Sequence, residues 1–344
     1  MNPLFENHRI FLVGGPGGVG KTTLSAALAV ALTQAGHDTL VLTVDPAKRL
    51  AQALGLDTLG HELVSIPRSG QATLWASQLN SERFLDQLIH KIAVSPEQAD
   101  KIINNSIFQT MSAGIGGTHE YAAMERVLEF AFQDRFTKIV VDTPPAQNAI
   151  DLITAPKRMF DFMDNSIVHW FAGHRSFMSG IFHHGTHLAF KALHHIFGTD
   201  FFESFENFMK DIEGLQDGFR RRNQQVMHIL RSATTAFCLT TIGTEQRFNE
   251  TLTLQDFLRE ERIPLKAIWL NQMEPQPPDI PRAVLSSDPA LRIWSRYCHD
   301  LAGCHAQWRR QFENLSVPVF PIARRVAPPA SWQALLTLGK ELVH

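Results

Sequence analysis

Residues 14–23 read Gly-Gly15-Pro16-Gly17-Gly18-Val19-Gly20-Lys21-Thr22-Thr23, between an apolar run at 9–13 and a stretch with helical spacing. The segment fits G-x-x-x-x-G-K-[ST] in the order strand, loop, helix, which phosphate binding requires. Its glycines let backbone N–H groups turn inward around phosphate oxygens. The helix N-terminus adds the positive end of its dipole. In such a loop Lys21 reaches the β- and γ-phosphates and the Thr22 hydroxyl ligates Mg²⁺. A glycine turn with an incidental Lys-Thr would lack the flanking strand and helix.

The rest of the chain continues the alternation. After the loop, Leu24, Leu28, Ala31 and Leu32 recur at helical spacing, and Gly36 marks a stop. Further apolar runs lie at 39–44, 72–76, 138–142, 235–240, 267–270 and 317–322. Continuous apolar strands alternating with helices predict an α/β fold, a mostly parallel, doubly wound sheet covered on both faces. Residues 155–232 break this rhythm: they show no strand pattern and are rich in Phe, Met and His. They read as a helical insertion subdomain between a first core part at 1–154 and a second at 233–344. Smaller features are a helical stretch at 81–113, a Pro-rich surface excursion at 274–290 and a docking helix at 331–344.

Composition limits the function classes. At 344 residues, with 44% hydrophobic and 19% charged side chains, the chain is globular and has material for about two domains. The net charge of −2 gives no basic field, so nucleic acid is not an expected partner. Three cysteines, Cys238, Cys298 and Cys304, cannot form a disulfide framework and fit a reducing compartment. No window reaches the ~18–20 apolar residues of a membrane span, and the first residues do not read as a signal peptide. A soluble, cytoplasmic protein is expected.

Two carboxylates stand at strand ends. Val44-Asp45-Pro46-Ala47 follows the second strand, where side chains enter the crevice that holds ligands in such sheets. Asp45 reads as a site residue, a helix N-cap, or both. Asp142, in Val141-Asp142-Thr143-Pro144-Pro145, is placed to hold Mg²⁺ through water as a Walker B acid, or else caps a turn.

The segments G-G-V-G-K-T-T, D-P-A, D-T-P-P and Leu270-Asn271-Gln272, in this order and spacing, resemble one family. It comprises the arsenical-pump ATPases and the ATPases that target tail-anchored membrane proteins, P-loop NTPases of the deviant-Walker-A group. The likeness extends over Gly117-Thr-His-Glu-Tyr-Ala-Ala-Met-Glu125 and residues 142–159. The resemblance implies ATP and Mg²⁺ as cofactors. It implies that Gly15, Gly17, Gly18, Val19, Gly20, Lys21, Thr22 and Thr23 form the phosphate loop. It makes Lys21 and Asp45 the catalytic pair, with Asp45 the switch I acid acting on the attacking water. Thr22 and Asp142 would serve the metal. The residues after Asp142 would be switch II, and Asn271 would hydrogen-bond adenine, completed by the loop after 317–322.

Three departures stand out. The family's loop usually reads G-K-G-G-V-G-K-T, with its first lysine crossing to the partner's nucleotide; Pro16 occupies that position here. Ala146-Gln147-Asn148 replaces the usual Gly-His of switch II. No C-x-x-C is present, so the zinc clasp of the tail-anchor ATPases is missing.

Weaker signals remain open. The Phe/Met stripe at 159–209 reads equally as a hydrophobic client groove and as plain helical core. His183 and His187 lie four apart in a His-dense stretch with no carboxylate or thiol nearby, and read as exposed or partner-facing. The pairs Cys298-His299 and Cys304-His305 read as ordinary thiols rather than a metal site. Lys48-Arg49 could touch nucleotide, touch a partner, or simply start a helix.

The expected function is a dimeric, Mg²⁺-dependent ATP-hydrolysing switch, slow when alone, that couples nucleotide state to a helical subdomain binding a hydrophobic client or membrane partner. An alternative is a low-activity subunit of a heterodimer with a lysine-bearing paralogue. A further alternative, an arsenite-efflux ATPase, is disfavoured because residues 155–232 contain no cysteine. A partition or division-site ATPase is disfavoured by the long insertion.

Overall fold

The computed structural model describes residues 2–44, 49–66, 72–79, 84–106, 108–109, 118–143, 150, 153–155, 157, 207–208, 210–212, 215–278, 288–329 and 331–343. These residues fall into two compact units. The first comprises Met1–Leu79, Arg126–Ile150 and His228–His344; the second comprises Asn80–Glu125 and Asp151–Met227.

The first unit is built on one eight-stranded sheet. Its strands are β1 (Ile10–Gly14), β2 (Thr39–Thr43), β3 (Val64–Ile66), β4 (Leu74–Gln78), β5 (Lys138–Asp142), β6 (Thr235–Ile242), β7 (Leu265–Met273) and β8 (Val319–Ala323). The order is β3-β4-β2-β5-β1-β6-β7-β8. Every pairing is parallel except β3 with β4. The central strands β1, β2 and β5 are buried at every position, which is why they appear in the sequence as unbroken apolar runs. Following the chain, β2 lies to one side of β1 and β6 to the other. The carboxyl end of β1 is therefore the point where the winding reverses, the place where ligands bind in open α/β sheets.

A short helix α1 (Pro3–Asn7) precedes β1, capped by the Asn2 side chain, which accepts from Leu4 N–H. The sequence pattern did not mark it, because only Phe5 of its residues is buried. Lys138 secures its far end: the buried ammonium donates to the carbonyls of Phe5, Glu6 and His8 at 2.6–2.8 Å. Helix α2 (Lys21–Gln34) is apolar on nearly all sides, with eleven of its residues buried. One neighbour is the C-terminal helix α10 (Trp332–Val343). A Cβ at Gly339 would run into the Ala27 carbonyl and the Ala31 methyl, so only glycine permits this helix pair to approach so closely. The same unit holds α3 (Arg49–Leu54), α8 (Glu245–Glu260) and α9 (Pro289–Glu313). Cys238, in β6 opposite Val13 of β1, is completely buried.

The second unit includes α4 (Phe84–Ile92) and α5 (Pro96–Ile103). Helices α6 (Thr118–Ala131) and α7 (Gln216–Leu230) belong to it up to Glu125 and Met227, respectively. Its core gathers Leu88, Ile89, Ile102, Phe208, Ile212 and Phe219. The buried Glu125 carboxylate is paired with Arg222 at 3.1 Å. Most of the Phe/Met stripe, together with His183 and His187, lies outside the described residues.

Among the described residues no helix is long and apolar enough to cross a membrane.

Candidate functional site

The glycine loop leaves β1 at its carboxyl end and enters α2, and its backbone requires glycine. Gly15, Gly18 and Gly20 have φ of +143°, +79° and +96°, a region costly for residues with a Cβ. A Cβ at Gly15 would meet the Thr240 carbonyl of β6, and one at Gly20 would meet the Asn271 side-chain amide. Gly20 is also the N-cap of α2 and no side chain caps that end, the positive end of the helix dipole. Lys21, 8% exposed, donates from Nζ to the Pro16 carbonyl at 2.8 Å. The lysine is thus folded back along the loop it would serve. Pro16 itself is buried.

Asp142 ends β5 beside this loop, in register with Val13 of β1 and Thr43 of β2. It is 1% exposed. Ser25 Oγ of α2 donates to its Oδ1 at 3.3 Å, and Thr43 Oγ1 donates to its Oδ2 at 3.0 Å. The next residue, Thr143, donates from both its backbone N–H and its hydroxyl to the Val13 carbonyl, tying the end of β5 to β1. Burial raises the Asp142 pKa from its ordinary 3.8 to about 6. Hydrogen bonds from Thr22, Thr43 and Ser25 and the Lys21 charge pull the other way.

This shift has a measurable consequence. A carboxyl group whose pKa is raised on folding contributes stability that is complete below its unfolded value near 3.8 and is lost as pH rises through about 6. In magnesium- and nucleotide-free buffer, the parent should therefore lose on the order of 3 kcal/mol between pH 4 and 8 relative to Asp142→Asn. Denaturant midpoints of both proteins across this range test it; parallel curves would contradict it.

On the opposite side of the loop, Asn271 of β7 donates from Nδ2 to the Val19 carbonyl at 2.8 Å. Immediately after it Gln272 has φ +57°, and the β7–β8 register slips between Leu270 and Met273. Such left-handed geometry at a non-glycine residue is a local strain of the kind that gathers at ligand sites. A cleft of about 300 Å³ opens there, lined by Gly20, Thr23, Asn271, Gln272, Arg324 and Pro328 among others. Its size is at the lower end of small-ligand pockets. Arg324 on its rim pairs with Glu274 at 2.8 Å, and Arg325 pairs with Glu341 at 2.6 Å. The Glu274 N–H donates to His305 Nδ1 at 2.9 Å. Burial lowers the His305 pKa; Glu274 opposes the shift and Arg324 adds to it.

The structure thus brings Gly15, Gly20, Lys21, Asp142 and Asn271 to the carboxyl end of one sheet. Asp45, Lys48 and residues 144–149 lie outside the described residues. Arg49 begins α3 and is exposed. Cys298 is half-buried and Cys304 exposed, both on α9, and no group of three or more potential metal ligands converges among the described residues. The sequence pattern did not mark Thr43 and Ser25. Both sit within apolar runs, and their role appears only when strand register sets them against Asp142.

A mostly parallel sheet with this loop at its reversal point, a buried lysine and a buried strand-end aspartate defines a P-loop nucleotide-binding fold. The model of the anion-transporting ATPase family matches residues 8–286, and the chain belongs to that family. ATPase GET3C of Arabidopsis thaliana is 28% identical over 292 residues, covering 79% of this chain and 68% of its own length. ATPase GET3B of the same plant is 27% identical over 287 residues, covering 78% and 64%. ATPase ARSA1 of Chlamydomonas reinhardtii is 29% identical over 295 residues, covering 78% of this chain but only 35% of its own length.

Proposed function

We propose that this chain is a Mg²⁺-dependent, ATP-binding and ATP-hydrolysing switch that acts as a dimer and couples its nucleotide state to a helical client- or partner-binding region. The observation that carries the reading is the uncapped α2 N-terminus beneath three positive-φ glycines, with Lys21 and Asp142 buried beside it. The loop N–H groups and Lys21 would hold the β- and γ-phosphates. Thr22 would ligate Mg²⁺ directly, and Asp142 would hold it through water, in keeping with a carboxylate already encircled by hydroxyl donors. Bound Mg²⁺ would supply positive charge against the phosphate oxygens. Asp45 would orient the attacking water and take its proton. The carbonyl and second amide hydrogen of Asn271 would serve the adenine edge, with 323–329 closing the cleft. A client of hydrophobic character and cytoplasmic residence complete the reading.

Pro16 favours a second form of the same reading, a subunit whose partner supplies the missing cation. The purified chain should bind ATP with a Mg²⁺-dependent gain in affinity and turn it over slowly. No binding in titration calorimetry would overturn the assignment. Pro16→Lys should raise turnover at least about tenfold, a small part of what a trans cation is worth in phosphoryl transfer. Pro16→Ala, which frees the loop's φ without adding charge, should not. Brisk hydrolysis by the unmodified chain would contradict this account of Pro16.

A further inference from the structure

We propose that Thr43 is a positioning residue for Mg²⁺, acting by fixing the carboxylate plane of Asp142, with Ser25 as its counterpart on the other oxygen. The inference rests on the nucleotide-binding reading above and extends it to two residues outside the glycine loop, Thr43 and Ser25.

A carboxylate that serves a metal through water must present its lone pairs in a fixed direction. A lone aspartate at a strand end can rotate about its terminal torsion, which is broad. Here each oxygen has a hydroxyl donor from outside the loop, in addition to the hydrogen bond from the proposed Mg²⁺ ligand Thr22. Thr43 Oγ1 reaches Oδ2 at 3.0 Å from strand β2, and Ser25 Oγ reaches Oδ1 at 3.3 Å from helix α2. The two donors come from different elements on different sides of the group, so rotating the carboxylate would break one bond or both. All three groups are nearly inaccessible: Thr43 is 2% exposed, Ser25 0% and Asp142 1%. Bulk water therefore has little access to the place of a lost hydroxyl. The strand register makes the arrangement specific, since Thr43 and Asp142 are Cα partners on adjacent parallel strands. Hydrogen-bonding partners of this outer kind commonly govern metal affinity by about ten- to hundredfold. Thr43 also lies two residues before Asp45, so the same bond anchors the strand that leads to the proposed water-activating acid.

The test compares Thr43→Val, which keeps the shape and removes the hydroxyl, with Thr43→Ser, which keeps the hydroxyl. ATP affinity is measured by calorimetry in Mg²⁺ and in EDTA, with melting temperature as a control on folding. Thr43→Val should shrink the Mg²⁺-dependent gain in affinity by about tenfold or more while leaving affinity in EDTA within about twofold. Thr43→Ser should restore the gain. A purely structural threonine would instead lower both affinities together. If Thr43→Val does not fold, Ser25→Ala reads the same quantity from the other oxygen and should also reduce the gain. A parent that shows the Mg²⁺ gain alongside a Thr43→Val protein that keeps it overturns this inference alone. A parent that binds no nucleotide in either buffer overturns the proposed function and this inference with it.

Discussion

Replacing Asp45 by asparagine should leave ATP binding intact and slow single-turnover hydrolysis at least about a hundredfold, the scale of a positioned general base. Asparagine keeps the size and hydrogen-bonding reach of the side chain but cannot accept a proton from water. Phosphate binding is expected to rest on the loop N–H groups and Lys21, none of which the substitution touches. The two readouts therefore separate. Rapid-quench measurement with enzyme in excess over ATP isolates the chemical step from product release. An unchanged rate would leave Asp45 as a helix cap only.

Lys21→Ala should have the opposite signature, a loss of ATP affinity of about a hundredfold, the equivalent of roughly 2.7 kcal/mol. That is the upper range for a hydrogen bond to a charged group and is reasonable for an ammonium aimed at two phosphates. The lysine also donates to the Pro16 carbonyl, so the truncation removes a loop contact as well as a charge. Lys21→Met separates these effects. It fills the space of the stem without the ammonium, and it should lose affinity as fully as alanine while retaining more of the parent's stability. Parent-like binding of Mg²⁺·ATP by either variant would show that the loop does not hold phosphate in the way assigned.

How much could be read in the sequence depended on burial. The strands β1, β2, β5 and β6 are hidden on both faces, so their apolar runs announced them directly. The three-residue edge strand β3 is half-buried and alternates weakly, which left no signal. Helix α9 shows the same limit from the other side. Ile293, Trp294 and Tyr297 are all exposed, so no apolar stripe faces a core in its first turns. Its start was nevertheless written in Asp288 and Pro289, an N-cap followed by proline at the first helical position. At the site, the place of the glycine loop between strand and helix and that of Asp142 at a strand end were legible because local spacing carries them. Thr43 and Ser25 were not, because hydroxyls within an apolar strand and a buried helix acquire meaning only through register with a residue about a hundred positions away. The cleft beside Asn271 was partly legible: the loop after β8 was expected there, but the bond from Asn271 to the Val19 carbonyl was not.

The burial of Cys238 gives the protein an internal clock. Its thiol lies in β6 against β1, and burial pushes its pKa well up, so almost no reactive thiolate forms while the sheet is closed. Cys304 is open to solvent and Cys298 is half so. An alkylating reagent added to the native chain should therefore modify the two α9 thiols first. Alkylation of the third should proceed only as fast as the strands around the glycine loop part. Its rate, followed by mass spectrometry, times the breathing of the sheet beneath the candidate site. Any ligand that ties β1 to its neighbours would lengthen that time without the need for an engineered probe.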